Sequence, residues 1–267
     1  MKIEEVVTRF MASGNFLKLA LRSQTQYING LKTFEAYFGG RDIESIRRSE
    51  IIAVNDSLFS KPGKAFQFVK TTSVLFSYAL DMEFVTANPC NKIKIHKMEP
   101  IPRWEISQIK KAISINHRTV RTAVALSWYT GQRQGDVLSM KWSDITNGDT
   151  LNVKQSKTGK IMQIKIHPNL KAILDAIDDR GEYIVSKDRR IHANTFRSCF
   201  TRHTKKVGIT LPFHGIRKTV AATLAENGRS ANEIAALLGH NTLAMVTLYT
   251  KEANATKMIA SAVDSMD

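Results

Sequence analysis

"SANEIAALLGH", residues 230–240, runs directly into "NTLAMVTLYT", residues 241–250. The first stretch carries its own start and stop. Ser230 and Glu233 have the spacing of a capping box, which satisfies two backbone N–H groups at a helix start and is worth about 1 kcal/mol. Gly239 is a natural C-cap, because glycine tolerates the left-handed turn that ends a helix, and it throws His240 out of that helix. A short rigid helix thus presents a histidine at its end, and Tyr249 follows nine residues later on a second apolar stretch. A tyrosine on an apolar helix is ordinarily a core residue with a wet tip, so the pair takes its meaning from the rest of the chain.

Three stretches upstream supply that context. In "LPFHGIRKTVAATLAENG" (211–228), a helix starting near Pro212 puts His214 and Arg217 on one face. Val220 and Leu224 would bury the opposite face, leaving the polar pair at the helix N-terminus, where backbone N–H groups favour an anion. In "TGQRQGDVLSMKWSDI" (130–145), a glycine-bearing turn presents Arg133, with Asp136 one turn later. By itself that pair reads as a surface ion pair. Gln132 and Gln134 flank the arginine and look chemically neutral. "TLNVKQSKTGKIMQIKI" (150–166) alternates around "KTGK", which predicts a strand, a tight turn and a second strand. Lys157 and Lys160 sit at the tip, where a lysine is usually solvated.

Composition narrows the partner. The 39 Lys and Arg outnumber the 24 Asp and Glu, giving a formal net charge of +15, which favours an extended polyanion: nucleic acid first, an anionic membrane surface second. Residues 1–98 carry 14 basic and 9 acidic side chains and residues 99–267 carry 25 and 15, so both halves are basic and neither is a detachable tail. No apolar run is long enough to span a membrane, and "MKIEEVVTRF" lacks the apolar centre of a signal peptide, so cytoplasmic residence in a bacterial host, at the nucleoid, is expected.

The organisation reads as two domains. Over residues 1–95, Ser23 is the expected cap of a helix with Tyr27, Leu31, Phe34 and Phe38 on one side and Gly39-Gly40 at its end. Ser49 is the expected start of another, around Ile51 to Leu58; "KPGK" (61–64) reads as a turn, and Phe66, Val69, Phe76 and Leu80 mark a long helix stopped before Pro89. Residues 96–104, with Pro100 and Pro102, read as a linker. Residues 105–267 then form a second domain, mainly helical with a small antiparallel sheet, in which "EYIVS" (182–186) is a short-strand candidate. The fold class is mainly α with two domains. Cys90 and Cys199 form no spaced pair, which points to neither a disulfide framework nor a metal motif. Cys199 and His203 are one helical turn apart, but neither His192 nor His214 completes a ligand set at a recognisable spacing, so no metal site is predicted.

The order and spacing of "TGQRQGD", "HGIR", "LLGH" and the tyrosine nine residues after His240 closely resemble the tyrosine recombinases, the phage integrase family. The resemblance is strong from about Ile106 to Tyr249 and rests only on size and helical character in the first domain, which would be the family's core-binding domain. It implies a site-specific DNA recombinase with Arg133, Lys157, His214, Arg217, His240 and the nucleophile Tyr249 as catalytic residues, and Asp136 as the partner that orients Arg133. The chemistry agrees. A tyrosine attacking a phosphodiester passes through a phosphorane whose extra negative charge two planar, permanently charged arginines can grip. The covalent 3′-phosphotyrosine keeps the bond energy, so neither ATP nor a metal is required, and no cofactor is expected. The resemblance assigns the proton for the departing oxygen to Lys157, with Lys160 as the rival, and implies duplex DNA sites, a homotetramer on DNA and a DNA-bending accessory protein as partners. Gly215 stands where the family often has an acidic residue, and the chain begins directly at the core-binding-like region, so no arm-binding domain is expected. A type IB topoisomerase-like enzyme, or a non-catalytic DNA-binding regulator, would share parts of this pattern. In the family the tail after the tyrosine commonly packs on a neighbouring protomer, and Met258, Ile259 and Val263 could form the face that does so; the alternative is a tail that folds back on its own domain or frays.

Overall fold

The computed structural model describes residues 1–95, 99–240, 246–247 and 255–264. The chain divides into two compact units, Met1–Pro100 and Ile101–Asp267. The first is built from α1 (Ile3–Ala12), α2 (Gly14–Leu17), α3 (Leu21–Phe38), α4 (Arg48–Ser57) and α5 (Pro62–Asp81). Helix α5 is the hub against which α1, α3 and α4 pack. Its Phe68 and Phe76 are fully buried, and Phe76 meets Phe34 of α3 edge-on at 6.0 Å.

Three helix starts differ from the sequence expectation. Helix α3 begins at Leu21, so Ser23 lies inside its first turn and is not its cap. Helix α4 begins at Arg48: the Glu50 carboxylate accepts the Arg47 N–H (2.8 Å), which leaves Ser49 within the helix. "KPGK" opens α5 instead of forming a separate turn, because Pro62 at the first helical position has its φ already set and lacks only an N–H that would go unbonded there.

The second unit runs α6 (Ile106–Ile113), α7 (Arg118–Thr130), α8 (Gln134–Val137), β1 (Ile145–Thr146), β2 (Thr150–Lys154), β3 (Ile161–Lys165), α9 (Pro168–Asp175), α10 (Ala193–Lys206), α11 (His214–Glu226) and α12 (Ala231–Leu238), with a final helix at Ala255–Asp264. The protein is mainly α-helical with a small three-stranded antiparallel sheet, ordered β1-β2-β3. Leu151 pairs with Ile164 and Val153 with Met162, and all four are buried in the core, as two-residue periodicity requires. Helix α7 runs through the middle, packed by α6, α9, α10 and α11, and its segment Ala123–Leu126 is fully buried. "EYIVS" is not a strand. Tyr183 makes an isolated bridge to Lys141, and its N–H then bonds back to the Lys187 carbonyl (3.0 Å), turning the chain before a ladder can grow.

Trp104, in the stretch read as a linker, is buried in the core of this second unit. Its backbone N–H donates to Thr219 Oγ1 (2.7 Å) and its indole N–H to the Pro212 carbonyl (3.0 Å), fastening residues 101–104 along α11. Lys218 Nζ donates to the Ile101 carbonyl (2.6 Å). This contact explains Gly215: a Cβ there would lie 2.5 Å from the Pro102 carbonyl oxygen and 2.7 Å from Trp104 Cδ1. Since the clash is with backbone, Gly215→Ala should destabilise the protein by about 1–3 kcal/mol, as overpacking does. Urea unfolding would measure it, and an unchanged midpoint would show that the 101–104 segment yields freely.

Candidate active site

The site forms where two helices end. Helix α12 starts with the capping box, Ser230 Oγ accepting the Glu233 N–H (3.2 Å) and the Glu233 carboxylate accepting the Ser230 N–H (2.8 Å). It stops at Gly239, whose φ of 66° is left-handed. The His240 N–H reaches the Ala235 carbonyl (3.0 Å) and the Gly239 N–H the Ala236 carbonyl (3.3 Å), the paired bonds of a Schellman ending. That geometry leaves the last carbonyls of α12 pointing beyond the helix. Helix α7 ends likewise, at Gly131 with φ 65°.

Arg217 fills the gap between these two ends. Its side chain is 1% exposed; Nη1 donates to the Gly131 carbonyl (2.7 Å) and Nη2 to the Leu238 carbonyl (2.7 Å). Nη2 also lies 2.7 Å from His240 Nε2. A guanidinium can only donate, so His240 Nε2 is the acceptor and, in the neutral ring, the proton is on Nδ1. Burial first, then the charges of Arg217, Arg133 and Lys160, pull the His240 pKa down to about 4. His214 opens α11 and is half-buried. Its pKa is also lowered, by burial first and then by Arg217, Arg133, Lys218 and Lys157. Arg133, His214, Arg217 and His240 therefore share one cluster rich in positive charge, and the charges of Lys157 and Lys160 act on its histidines. Lys157 and Lys160 are both exposed on the loop between β2 and β3. Tyr249 lies outside the described residues.

Asp136 stands beside Arg133, its Oδ2 at 4.0 Å from Arg133 Nη1, and its Oδ1 accepts both the backbone N–H (2.8 Å) and the hydroxyl (2.7 Å) of Ser156. It anchors the loop that carries Lys157. The group bonded to Arg133 is Gln155, whose Oε1 accepts from Arg133 Nη1 (3.0 Å) while its Nε2 donates to Gln132 Oε1 (2.6 Å) and to the Leu238 carbonyl (2.9 Å). Gln132, which looked neutral in sequence, is fully buried and donates to the Thr130 and Leu237 carbonyls (both 2.9 Å). The sequence held one signal for this pair. Gln155 continues the inward series Leu151, Val153 of β2, a polar residue at a position that should bury an apolar one.

The geometry matches known proteins. The model of the phage integrase family fits residues 101–256. The chain belongs to that family. It is a tyrosine-type site-specific recombinase. It is 29% identical over 245 residues to the integrase of Enterobacteria phage 434, covering 84% of this chain and 68% of that one. It is 25% identical over 306 residues to a tyrosine recombinase XerC-like protein of Caldanaerobacter subterraneus subsp. tengcongensis, covering 92% and 76%. Among solved structures, a dimer of lambda integrase residues 75–356 bound to a COC′ core site superposes with a TM-score of 0.81 at 26% identity, covering 94% of this chain and 95% of that one. A lambda integrase tetramer bound to a Holliday junction gives 0.78 at 26% identity, covering 91% and 78%.

Two outcomes follow for this recombinase. Gln155→Leu removes the acceptor from Arg133 while keeping the volume, so DNA cleavage should slow roughly 10- to 100-fold with binding intact; cleavage at the wild-type rate would release Gln155 from a positioning role. The second concerns pH. The unfolded chain protonates His240 near pH 6.5, but the folded chain resists until about pH 4. A proton taken up only by the unfolded state favours unfolding, so this contribution to stability is lost as pH falls through that window. Urea unfolding at about pH 7 and pH 5, ahead of most carboxylate titration, should show a smaller acid loss for His240→Asn than for the native chain. Equal losses would refute it.

Proposed function

We propose that this recombinase cleaves and rejoins duplex DNA at specific sites, with Tyr249 as nucleophile and Arg133, Lys157, His214, Arg217 and His240 as the catalytic group. The observation that carries the reading is the Arg217–His240 pair at the joint ends of α7 and α12, with Arg133 close enough to add its charge to burial and Arg217 in lowering the pKa of both His214 and His240. A phosphodiester is the anion such a cluster suits. The Tyr249 oxygen attacks phosphorus as His214 takes the phenolic proton, the bond to the deoxyribose 5′ oxygen breaks, and Lys157 supplies that oxygen with a proton. Arg133 and Arg217 hold the non-bridging oxygens, and His240 adds a donor beside them. Each such preorganised donor is worth about two to three orders of magnitude in rate. The 3′-phosphotyrosine then exchanges with the partner strand's 5′ hydroxyl, and the sequence of steps reverses.

By analogy with the lambda integrase complexes, four protomers assemble on two DNA sites and pass through a Holliday junction, each chain gripping duplex DNA through both its basic units. A DNA-bending accessory protein and a place at the nucleoid complete the reading. The last helix bears on the assembly. Within one chain Lys257 Nζ is 3.6 Å from the Glu226 carboxylate of α11, and Met258, Ile259 and Val263 are exposed. The helix packs against α11 of its own chain, and its exposed apolar row suits a neighbouring protomer.

Tyr249→Phe should bind DNA normally yet form no denaturant-resistant protein–DNA adduct on gels; a surviving adduct would remove Tyr249 as nucleophile. On DNA whose departing oxygen is replaced by sulfur, a leaving group that needs no proton, Lys157→Ala should cleave at close to the native rate. If Lys160→Ala is rescued instead, while Lys157→Ala is active on ordinary DNA, the proton comes from Lys160.

A further inference from the structure

A second cluster of reactive side chains lies in the same unit and is not used by the proposed recombination chemistry. Cys199 and His203 stand one turn apart on α10, and the fold brings in His117, the residue that precedes α7 and is 82 positions from Cys199 in sequence. Cys199 Sγ is 3.7 Å from His117 Nε2 and 3.6 Å from His203 Nδ1. The two imidazole rings are 4.0 Å apart between centroids, and one ligand atom from each of the three residues lies within 4.8 Å of the others. In a tetrahedral zinc site with Zn–S near 2.3 Å and Zn–N near 2.05 Å, the sulfur-to-nitrogen edge is about 3.6 Å. The spacings about the sulfur therefore already match a coordination polyhedron.

We propose that His117, Cys199 and His203 form a site for a thiophilic transition-metal ion of the zinc class, with a fourth position left for water or an exogenous ligand. A thiolate with two imidazoles is a donor set that selects zinc-like and softer ions over magnesium or calcium. Cys199 and His203 come from one rigid helix, so only His117 has to be brought to them, and packing of α7 on α10 already does that. His203 Nδ1 is 2.8 Å from the Cys199 carbonyl oxygen, so coordination through this atom exchanges a hydrogen bond for a metal bond. The site therefore fills according to metal supply. All three residues are partly exposed, which leaves an entry path. The ion would clip the start of α7 to α10. Since α7 ends at Gly131, whose carbonyl holds Arg217, the clip steadies the helix on which the catalytic cluster is built.

Cobalt(II) is the probe, added to the full-length chain after chelator treatment. One cobalt per chain should bind, with tetrahedral visible bands and a thiolate-to-cobalt charge-transfer band in the near ultraviolet, and zinc should displace it. The band reports Cys199 specifically, because burial raises the pKa of the only other thiol, Cys90, to about 12. Cys199→Ser, close to isosteric, should abolish the charge-transfer band, and His203→Gln or His117→Gln should abolish the tetrahedral bands. Zinc should raise the thermal midpoint of the native chain and leave that of Cys199→Ser unchanged. A spectrum without thiolate charge transfer, or one that survives in Cys199→Ser, would overturn the proposal. So would a zinc-induced shift retained by Cys199→Ser. Tyr249→Phe should bind cobalt as the native chain does, which separates this test from the recombination chemistry.

Discussion

The buried guanidinium of Arg217 is the constraint on which the rest of the catalytic unit depends. A permanently charged group removed from water is tolerated only where strong acceptors surround it. Here they include the Gly131 and Leu238 carbonyls, at the C-terminal ends of α7 and α12. Those ends carry unpaired carbonyls and the negative pole of each helix. One arginine thus settles two helix ends, and the helix ends fix the arginine. The arrangement also explains why both stops are glycine. At Gly131 a Cβ would lie 2.6 Å from Leu238 Cδ2, and at Gly239 it would collide with the Gln155 amide, so the close approach of the two ends would be lost even if φ near 65° were tolerated.

A layer of buried amides extends this logic to the residues around Arg133. Gln132 belongs to the turn after α7, Gln155 to the end of β2, and both bond carbonyls of α12. Three elements are thereby joined through groups that carry no net charge. This matters because a carboxylate in the same place would neutralise Arg133 and compete with the phosphate. An amide oxygen aligns the guanidinium without cancelling its charge. Asp136 keeps Oδ2 at 4.0 Å from Arg133 while its Oδ1 holds Ser156 and so sets the base of the hairpin loop.

How much of this could be read from the sequence follows from the range of each interaction. The capping box at Ser230–Glu233 and the stop at Gly239 are local, so four residues sufficed to read them. The hairpin was legible because period-two alternation is local too. Ser23 and Ser49 misled because a cap is set by where tertiary packing begins the helix; a serine within a first turn looks the same in sequence. "EYIVS" has the composition of a strand but only a single bridging partner, at Lys141, and pairing is a property of two segments. The charged residues of the cluster came forward through motif spacing. The amides that hold them did not, since Gln132 and Gln155 are 23 residues apart and glutamine is chemically silent until buried. His117 was invisible beside Cys199 for the same reason of distance.

The electrostatics of the site bear on how it would discriminate. Burial first, and then the charges of Arg217, Arg133 and the hairpin lysines, lowers the pKa of both His214 and His240. Arrival of an anion reverses the sign of that effect, since a negative charge within a few ångströms favours the protonated ring. A bound phosphodiester would therefore raise both histidine pKa values, and the gain in negative charge on passing to a phosphorane would raise them further. The imidazoles respond most when charge develops, as a group serving the transition state should. His240 reaches this position only because Gly239 ends α12 one residue earlier, so a helix stop written in the sequence sets where the responsive group stands.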